Sequence, residues 1–269
     1  MTTLYKFLGP NGEAIHGGTG KWRLPKDDRP GRWMPRLGGA LVPCVNGYHV
    51  CRADGLLPWI GVTLYTAETR GDTIEGKFGD ETYTKIVARQ ARLLRPVHGW
   101  GEPLFLLLAA DCIERVLYAF EQAYPLDKHP HQAIETARAF ARGEVDAEAR
   151  VQAGIDLRPT GELFADTDLH TWITIKHAAL INIHGDDSTA RHYNAATVAN
   201  CASDLTRRFA HHDLRAILWD CAAVASHRDN DDGTTERQWQ AKRLAWYVET
   251  AEAKERLQED WVSWKQSVQ

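Results

Sequence analysis

The hydrophobic pattern of this chain changes between Pro96 and Pro103, and this change restricts the possible folds more than any other feature. Before it, short apolar runs alternate with many Gly and Pro residues, as in strands joined by turns. After it, apolar residues recur at the spacing of amphipathic helices. A chain of 269 residues can form one large domain or two modest ones. We predict an α+β fold, with a small mixed α/β domain over residues 1–98 and an all-α helical bundle over residues 99–269.

The first part combines strand-like runs with turns. Asn11-Gly12 is typical of a tight hairpin turn after the first run. Residues 17–39 are rich in Gly and Pro and predict an ordered loop held by Trp22 and Trp33. A helical turn is predicted over residues 53–59. The predicted strands are Leu4–Leu8 and residues 41–42, 63–68 and 85–94.

The second part shows several helical stripes. The period changes from Pro103, and the first stripe consists of Ile113, Val116, Leu117 and Phe120 and is stopped by Pro125. Another runs from Pro130 to Phe140, with Gly143 suited to its C-terminal cap. Asp213 predicts the cap of a third helix. Further helices are predicted over residues 168–184, 188–211 and 234–264.

Charge and composition exclude some classes of function. The net charge is −4 and the pI is near 6.3, so no global attraction to nucleic acid is expected. The longest apolar run, residues 104–110, is too short to span a membrane. The chain starts without a secretion signal, and its five cysteines are typical of free thiols in a reducing compartment. We therefore predict a cytoplasmic protein that binds neither membranes nor nucleic acid.

The histidine and cysteine patterns do not predict a metal site. His170, His177 and His184 share a helical face, but seven residues of helix span about 10 Å, whereas zinc ligands lie about 2 Å from the ion. Cys44, His49 and Cys51 have irregular spacing and no second pair nearby. The acidic turn at residues 229–233 lacks the distal acidic ligand of a calcium loop. We expect no metal and no cofactor.

One cluster in the N-terminal part could bind a ligand. Hydrogen-bonding and aromatic side chains flank Gly47, which could let a ligand approach the backbone. The candidate ligand-binding residues are Asn46, Tyr48, His49, Arg52 and Glu68. The alternative is that this run is a turn into a buried strand and needs no ligand.

Two motifs of the second part resemble a known family. Residues 111–117 read D-C-I-E-R-V-L, and residues 133–144 read A-I-E-T-A-R-A-F-A-R-G-E. They resemble the opening of an all-helical family of immunity proteins from bacterial polymorphic toxin systems, and residues 238–244 resemble its closing helix. The middle helices depart from the family pattern. The resemblance implies a helical protein that binds a protein partner, such as a toxin or a defence effector, and masks it.

The N-terminal part is similar to an uncharacterised domain common in phage and actinobacterial proteins. The residues that carry this similarity are in the runs 5–8, 47–51 and 85–94. Its order of strand, turn, short helix and strand also loosely resembles the core of ADP-ribosyltransferases. That second resemblance implies a catalytic glutamate, with Glu68, Glu75 and Glu81 as alternatives.

Two functions are therefore compatible with the sequence. The favoured one is a non-enzymatic protein-binding module of a phage or bacterial conflict system, similar to an immunity protein. The alternative is a nucleotide- or NAD-handling enzyme, in which Tyr48 or His49 holds the ligand and Arg52 pairs with a phosphate. The absence of a catalytic signature favours the first function without deciding the question.

Overall fold

The computed structural model describes residues 2–78, 83–155, 187–206, 209–229 and 231–267. It confirms the α+β fold, with an antiparallel sheet in the N-terminal part and helices after it. The chain divides into two compact units. We call Met1–Gly101 with Gln238–Gln269 the sheet unit, and Glu102–Arg237 the helical unit. The domain boundary between residues 98 and 99 stays a prediction.

The sheet has four strands in the order β1-β3-β4-β2. They are β1 (Leu4–Leu8), β2 (Tyr48–Val50), β3 (Thr63–Phe78) and β4 (Tyr83–Pro96). All pairs are antiparallel, and β3 and β4 form a long hairpin with two register shifts. Such irregularities increase local twist. The sheet curls until its outer strands meet, since Tyr5 and Cys51 exchange two backbone hydrogen bonds of 2.8 and 3.1 Å.

The loop over residues 17–39 is ordered, as predicted, and part of it lies along β4. The backbone N–H groups of Gly31, Met34 and Leu37 donate to carbonyls of β4. Trp22 and Met34 are buried in the same cluster as Leu8, Leu93 and other strand residues. The loop therefore covers one face of the sheet and completes its apolar core.

Several N-terminal predictions need correction. Asn11-Gly12 does lie in a turn, with Gly12 at a φ of 85°, but β1 pairs with β3 and not with the segment after the turn. The pair 41–42 forms only one isolated bridge, Val42 to Asn46. β3 extends beyond the predicted run because residues 69–78 still pair with β4, and apolar periodicity does not reveal a stretch of exposed residues such as 70–75. The helical turn at residues 53–59 is confirmed as two short 3-10 helices, Ala53–Gly55 and Leu57–Trp59.

The described helices follow the sheet in chain order. They are α1 (Glu102–Val116), α2 (Tyr118–Ala123), α3 (His129–Ala141), α4 (Ala147–Ile155), α5 (Asp187–Asp204), α6 (His211–Asp229) and α7 (Thr234–Ser267). Within the helical unit, α1 packs on α3 and α6, while α2 packs on α5. The buried residues of α1, including Leu106, Leu108 and Ile113, provide the centre of this packing.

The helix predictions that fall on described residues are confirmed in kind and differ from the structure in their bounds. α3 has Pro130 in its first turn and is followed by Gly143 at a φ of 75°, as predicted. The first stripe spans two helices, α1 and α2, which are separated at Leu117. The sequence has no glycine or proline at this point that would predict the interruption. α6 begins at His211, and the Asp213 carboxylate accepts the Ala210 N–H at 2.8 Å, like the third residue of a capping box. α5 ends earlier than predicted, and α4 was not predicted. The predicted helix over residues 168–184 lies outside the described residues.

Among the described residues, no helix is long and apolar enough to cross a membrane.

Candidate functional site

The sheet unit contains a cavity of about 580 Å³ between the strands and the loops that precede β2. β1 contributes Tyr5, Lys6 and Phe7 to its walls, β2 contributes all three of its residues, and β4 contributes Lys85. The remaining walls come from the loops, including residues 14–20 and the ring of Trp22. The curl of the sheet brings these elements together, since β1 and the chain after β2 are directly hydrogen-bonded.

Three of the five predicted ligand-binding residues line this cavity: Asn46, Tyr48 and His49. The Asn46 side-chain amide donates to the carbonyls of Gly38 and Ala40 at 2.9 and 2.8 Å. The Tyr48 hydroxyl donates to the Pro35 carbonyl at 2.9 Å. Both side chains therefore hold the long loop against β2.

His49 is fixed in a neutral state by local contacts. Its Nε2 accepts the Cys44 backbone N–H at 2.9 Å, so the ring proton belongs on Nδ1. Burial and, secondarily, the charges of Lys6 and Lys85 lower the pKa of His49 to about 4. At neutral pH this ring is therefore uncharged and closes the turn between Cys44 and β2.

Two lysines supply the positive charge of the cavity. Lys6 is partly accessible to solvent, and burial lowers its pKa to about 8. Its Nζ lies 5.3 Å from the centroid of the Trp22 ring. Lys85 is 3% exposed, and its Nζ donates to the Cys44 Sγ at 2.8 Å and lies 5.8 Å from the Trp59 centroid. Among the described residues that line the cavity, none is Asp or Glu.

Arg52 and Glu68, the other two predicted residues, do not line this cavity. Arg52 forms an ion pair with Glu75, and both side chains are substantially exposed. Glu68 forms an ion pair with Arg92, whose guanidinium lies 4.8 Å from the centroid of the Trp33 ring. The five residues thus occupy three separate places, and a ligand role for each of them stays a prediction.

Of the alternative catalytic glutamates, Glu68 and Glu75 are each paired with an arginine. Glu81 lies outside the described residues. A catalytic role for any of these three glutamates stays a prediction.

Gly47 has a structural role that differs from the expected one. Its φ is 150°, and a Cβ atom at this position would lie 2.0 Å from Cγ1 of Val87. Glycine is required here because the turn into β2 packs directly on β4. Val87 makes a close approach at Gly47, and the approach of a ligand to this glycine stays a prediction.

Sequence reasoning missed the cationic and aromatic residues of the cavity: Lys6, Lys85, Trp22 and Trp59. A signal existed for the lysines, since each lies in a predicted strand next to apolar residues. No comparable indication exists in the sequence for the tryptophans, because a tryptophan in a loop is usually well buried and does not by itself indicate a cavity.

The residues that we had considered as metal ligands are engaged in other contacts where the structure describes them. Cys51 is buried, and burial raises the pKa of its thiol to about 12, so it stays protonated. Asp231 and Asp232 accept the backbone N–H groups of Gly233 and Thr234 at the start of α7. In the described part of the chain, no three His, Cys, Asp or Glu residues could hold one ion. His170, His177 and His184 lie outside it.

The family-like motifs of the helical unit meet at Arg138. Its guanidinium donates to Asp111 at 2.8 Å, to Glu114 at 2.7 and 3.1 Å, and to Glu135 at 2.9 Å. The bonds to Asp111 and Glu114 join α1 to α3, and these residues belong to the two motifs. Arg138 lowers the pKa of the Glu114 carboxyl, which therefore stays charged. The apolar motif residues are buried between the helices: Cys112, Ile113, Val116, Ala133, Ile134 and Ala137.

A family model described as Imm-5 like putative immunity protein matches residues 104–159. This confirms the resemblance of the opening motifs, and the match lies within the helical unit. No curated protein and no solved structure matches the chain. The similarity of the N-terminal part to a phage and actinobacterial domain stays a prediction.

Proposed function

We propose that this chain is an immunity-like protein that neutralises a toxin or another effector of a phage or bacterial conflict system by binding to it, without catalysis. The observation that carries the proposal is the family match over residues 104–159, whose two motifs join α1 to α3 through Arg138. We also propose a cytoplasmic location, where the cysteines stay reduced.

Within the matched segment, the apolar motif residues are buried and stabilise the helices, so we propose that a partner contacts exposed residues outside them. The loop between α2 and α3 provides such a surface, since its Leu126 side chain is 94% exposed. One exposed leucine is common on protein surfaces. Its position in the matched segment makes it the first residue to test.

Local contacts restrain the loop that carries Leu126. The Asp127 carboxylate accepts the His129 backbone N–H at 2.9 Å and contacts its ring nitrogen at 2.7 Å. On the other side, the Tyr124 ring lies 5.2 Å from that of Phe120. The backbone of a loop that is already restrained loses little conformational entropy when the loop binds a partner.

The test is toxin neutralisation in cells. Effectors encoded next to the gene would be expressed one at a time, with and without the full chain, and growth would be measured. We expect the wild-type chain to restore growth against one of them. Leu126→Arg should abolish this protection, whereas Val151→Arg, which changes another exposed apolar residue of the matched segment, should retain it.

Two results would count against these statements. If no neighbouring effector is neutralised by the wild-type chain, the proposed function is wrong. If Leu126→Arg protects as well as the wild type, the loop between α2 and α3 is not the contact surface.

A further inference from the structure

We propose that the cavity of the sheet unit binds a small anionic ligand with a planar aromatic ring, of the nucleoside phosphate class. This inference concerns a different unit from the family match and does not depend on the proposed immunity-like function. It uses the cavity walls formed by β1, β2, β4 and the loop of Trp22.

The positive charge of the cavity walls indicates that the ligand is anionic. The chain as a whole carries a net charge of −4, yet the described walls of the cavity contain two lysines and no carboxylate. Overall charge would weakly repel an anion, whereas a locally positive cavity attracts it once it is near. An anionic group is therefore the ligand chemistry that the cavity complements.

Lys6 gives this argument its strongest support. No ion pair joins its Nζ to a described carboxylate; the Nζ lies 5.3 Å from the centroid of the Trp22 ring, and its charge acts on His49 and Cys51. A desolvated ammonium without a counter-ion is costly, and this cost is visible in a pKa lowered to about 8. An anion bound beside Nζ would supply the missing charge and restore the pKa toward its ordinary value.

The size and the aromatic walls select the rest of the ligand. A volume of about 580 Å³ lies within the range of small-molecule sites. The half-buried rings of Tyr48 and Trp59 line the cavity beside the buried ring of Trp22, which packs edge to face on Tyr48 at 5.5 Å. Aromatic side chains in walls of this kind bind a nucleobase by stacking. The lysines near Trp22 and Trp59 place the positive charge next to these rings.

The experiment is calorimetric titration of the full chain at pH 7 with ADP, adenosine and inorganic phosphate. Lys6→Met removes the charge and keeps the length of the side chain, and Lys26→Met is the control, since Lys26 is an exposed loop residue that does not line the cavity. We expect wild type and Lys26→Met to bind ADP with similar Kd, and Lys6→Met to bind it about tenfold more weakly or worse. Adenosine and phosphate should each bind more weakly than ADP.

A pH series separates the lysine charge from a change in fold. The affinity of the wild type for ADP should fall as pH rises from 7 to 9, because free Lys6 loses its proton near pH 8, and this fall should be smaller in Lys6→Met. The variant should melt at the wild-type temperature or higher, since it no longer buries a charge. The proposal is overturned if the wild type does not bind ADP, if phosphate binds as tightly as ADP, or if Lys6→Met binds ADP like the wild type.

Discussion

Replacing Arg138 by Met should destabilise the helical unit, because this arginine joins the two family-like motifs. Its side chain is 15% exposed and that of Asp111 is 12% exposed, so water cannot fully replace their 2.8 Å contact. A hydrogen bond to a charged group contributes about 1.5–3 kcal/mol. Glu114 and Glu135 are 56% and 66% exposed, so solvent screens their contacts and they add little. The free energy of unfolding should therefore fall by about 2 kcal/mol.

The assay is urea unfolding followed by far-UV circular dichroism, with Arg142→Met as the control. Arg142 lies just after α3 and pairs with Glu144, but both side chains are about half exposed, so its loss should change stability far less. Equal stability of Arg138→Met and Arg142→Met would refute the assignment of Arg138 as the link between α1 and α3.

The difference in free energy of unfolding between wild type and Arg138→Met should depend on pH in one direction. Arg138 holds the pKa of Glu114 below its ordinary value of 4.5, so the folded state prefers the charged carboxylate. Stability from such a group is present above the unfolded pKa and is lost as pH falls through the folded pKa. The small part of the stability gap between wild type and Arg138→Met that comes from Glu114 should therefore be present at pH 7 and lost as the pH falls below about 4, while the rest of the gap remains.

Three further predictions concern the sheet unit. Gly47→Ala should lower the melting temperature because its Cβ would meet Val87, whereas Gly20→Ala, with open space around the added atom, should not; equal melting temperatures would contradict this. The ring of His49 should titrate by NMR with a pKa of about 4, and a midpoint at 6.5 would show that the ring is not buried. Because the unfolded ring protonates near 6.5, the contribution of His49 to the free energy of unfolding should fall as the pH drops from 6.5 towards 4. Limited proteolysis of the native chain should cut first within residues 97–101, which form a turn before α1, and initial cleavage within α1 would contradict the predicted boundary.

The sequence predicted the elements whose pattern is local. The stripe from Pro130 to Phe140 predicted α3 correctly, because its apolar spacing, its first-turn proline and Gly143 all indicate the same helix. The ends of β3 and the partner of β1 could not be predicted in this way. β1 pairs with β3 across a long loop, and no periodicity within either run specifies that partner.

The candidate site was predicted in part for the same reason. Asn46, Tyr48 and His49 are neighbours in sequence and remain neighbours at the cavity. Arg52 and Glu68 were included in the predicted site because they are close to it in sequence. In the curled sheet they lie outside the cavity, and each forms an ion pair with an oppositely charged side chain. Lys6 and Lys85 reach the cavity only through strand pairing, which the sequence does not display.

The central claim is that the helical unit carries the surface that binds an effector. Hydrogen exchange of the full chain, alone and in complex with the effector that it neutralises, tests this claim most directly. We predict slower exchange upon binding over residues 118–137, which include α2, the loop of Leu126 and most of α3. Protection confined to residues 1–98, with no change in the helical unit, would contradict the claim.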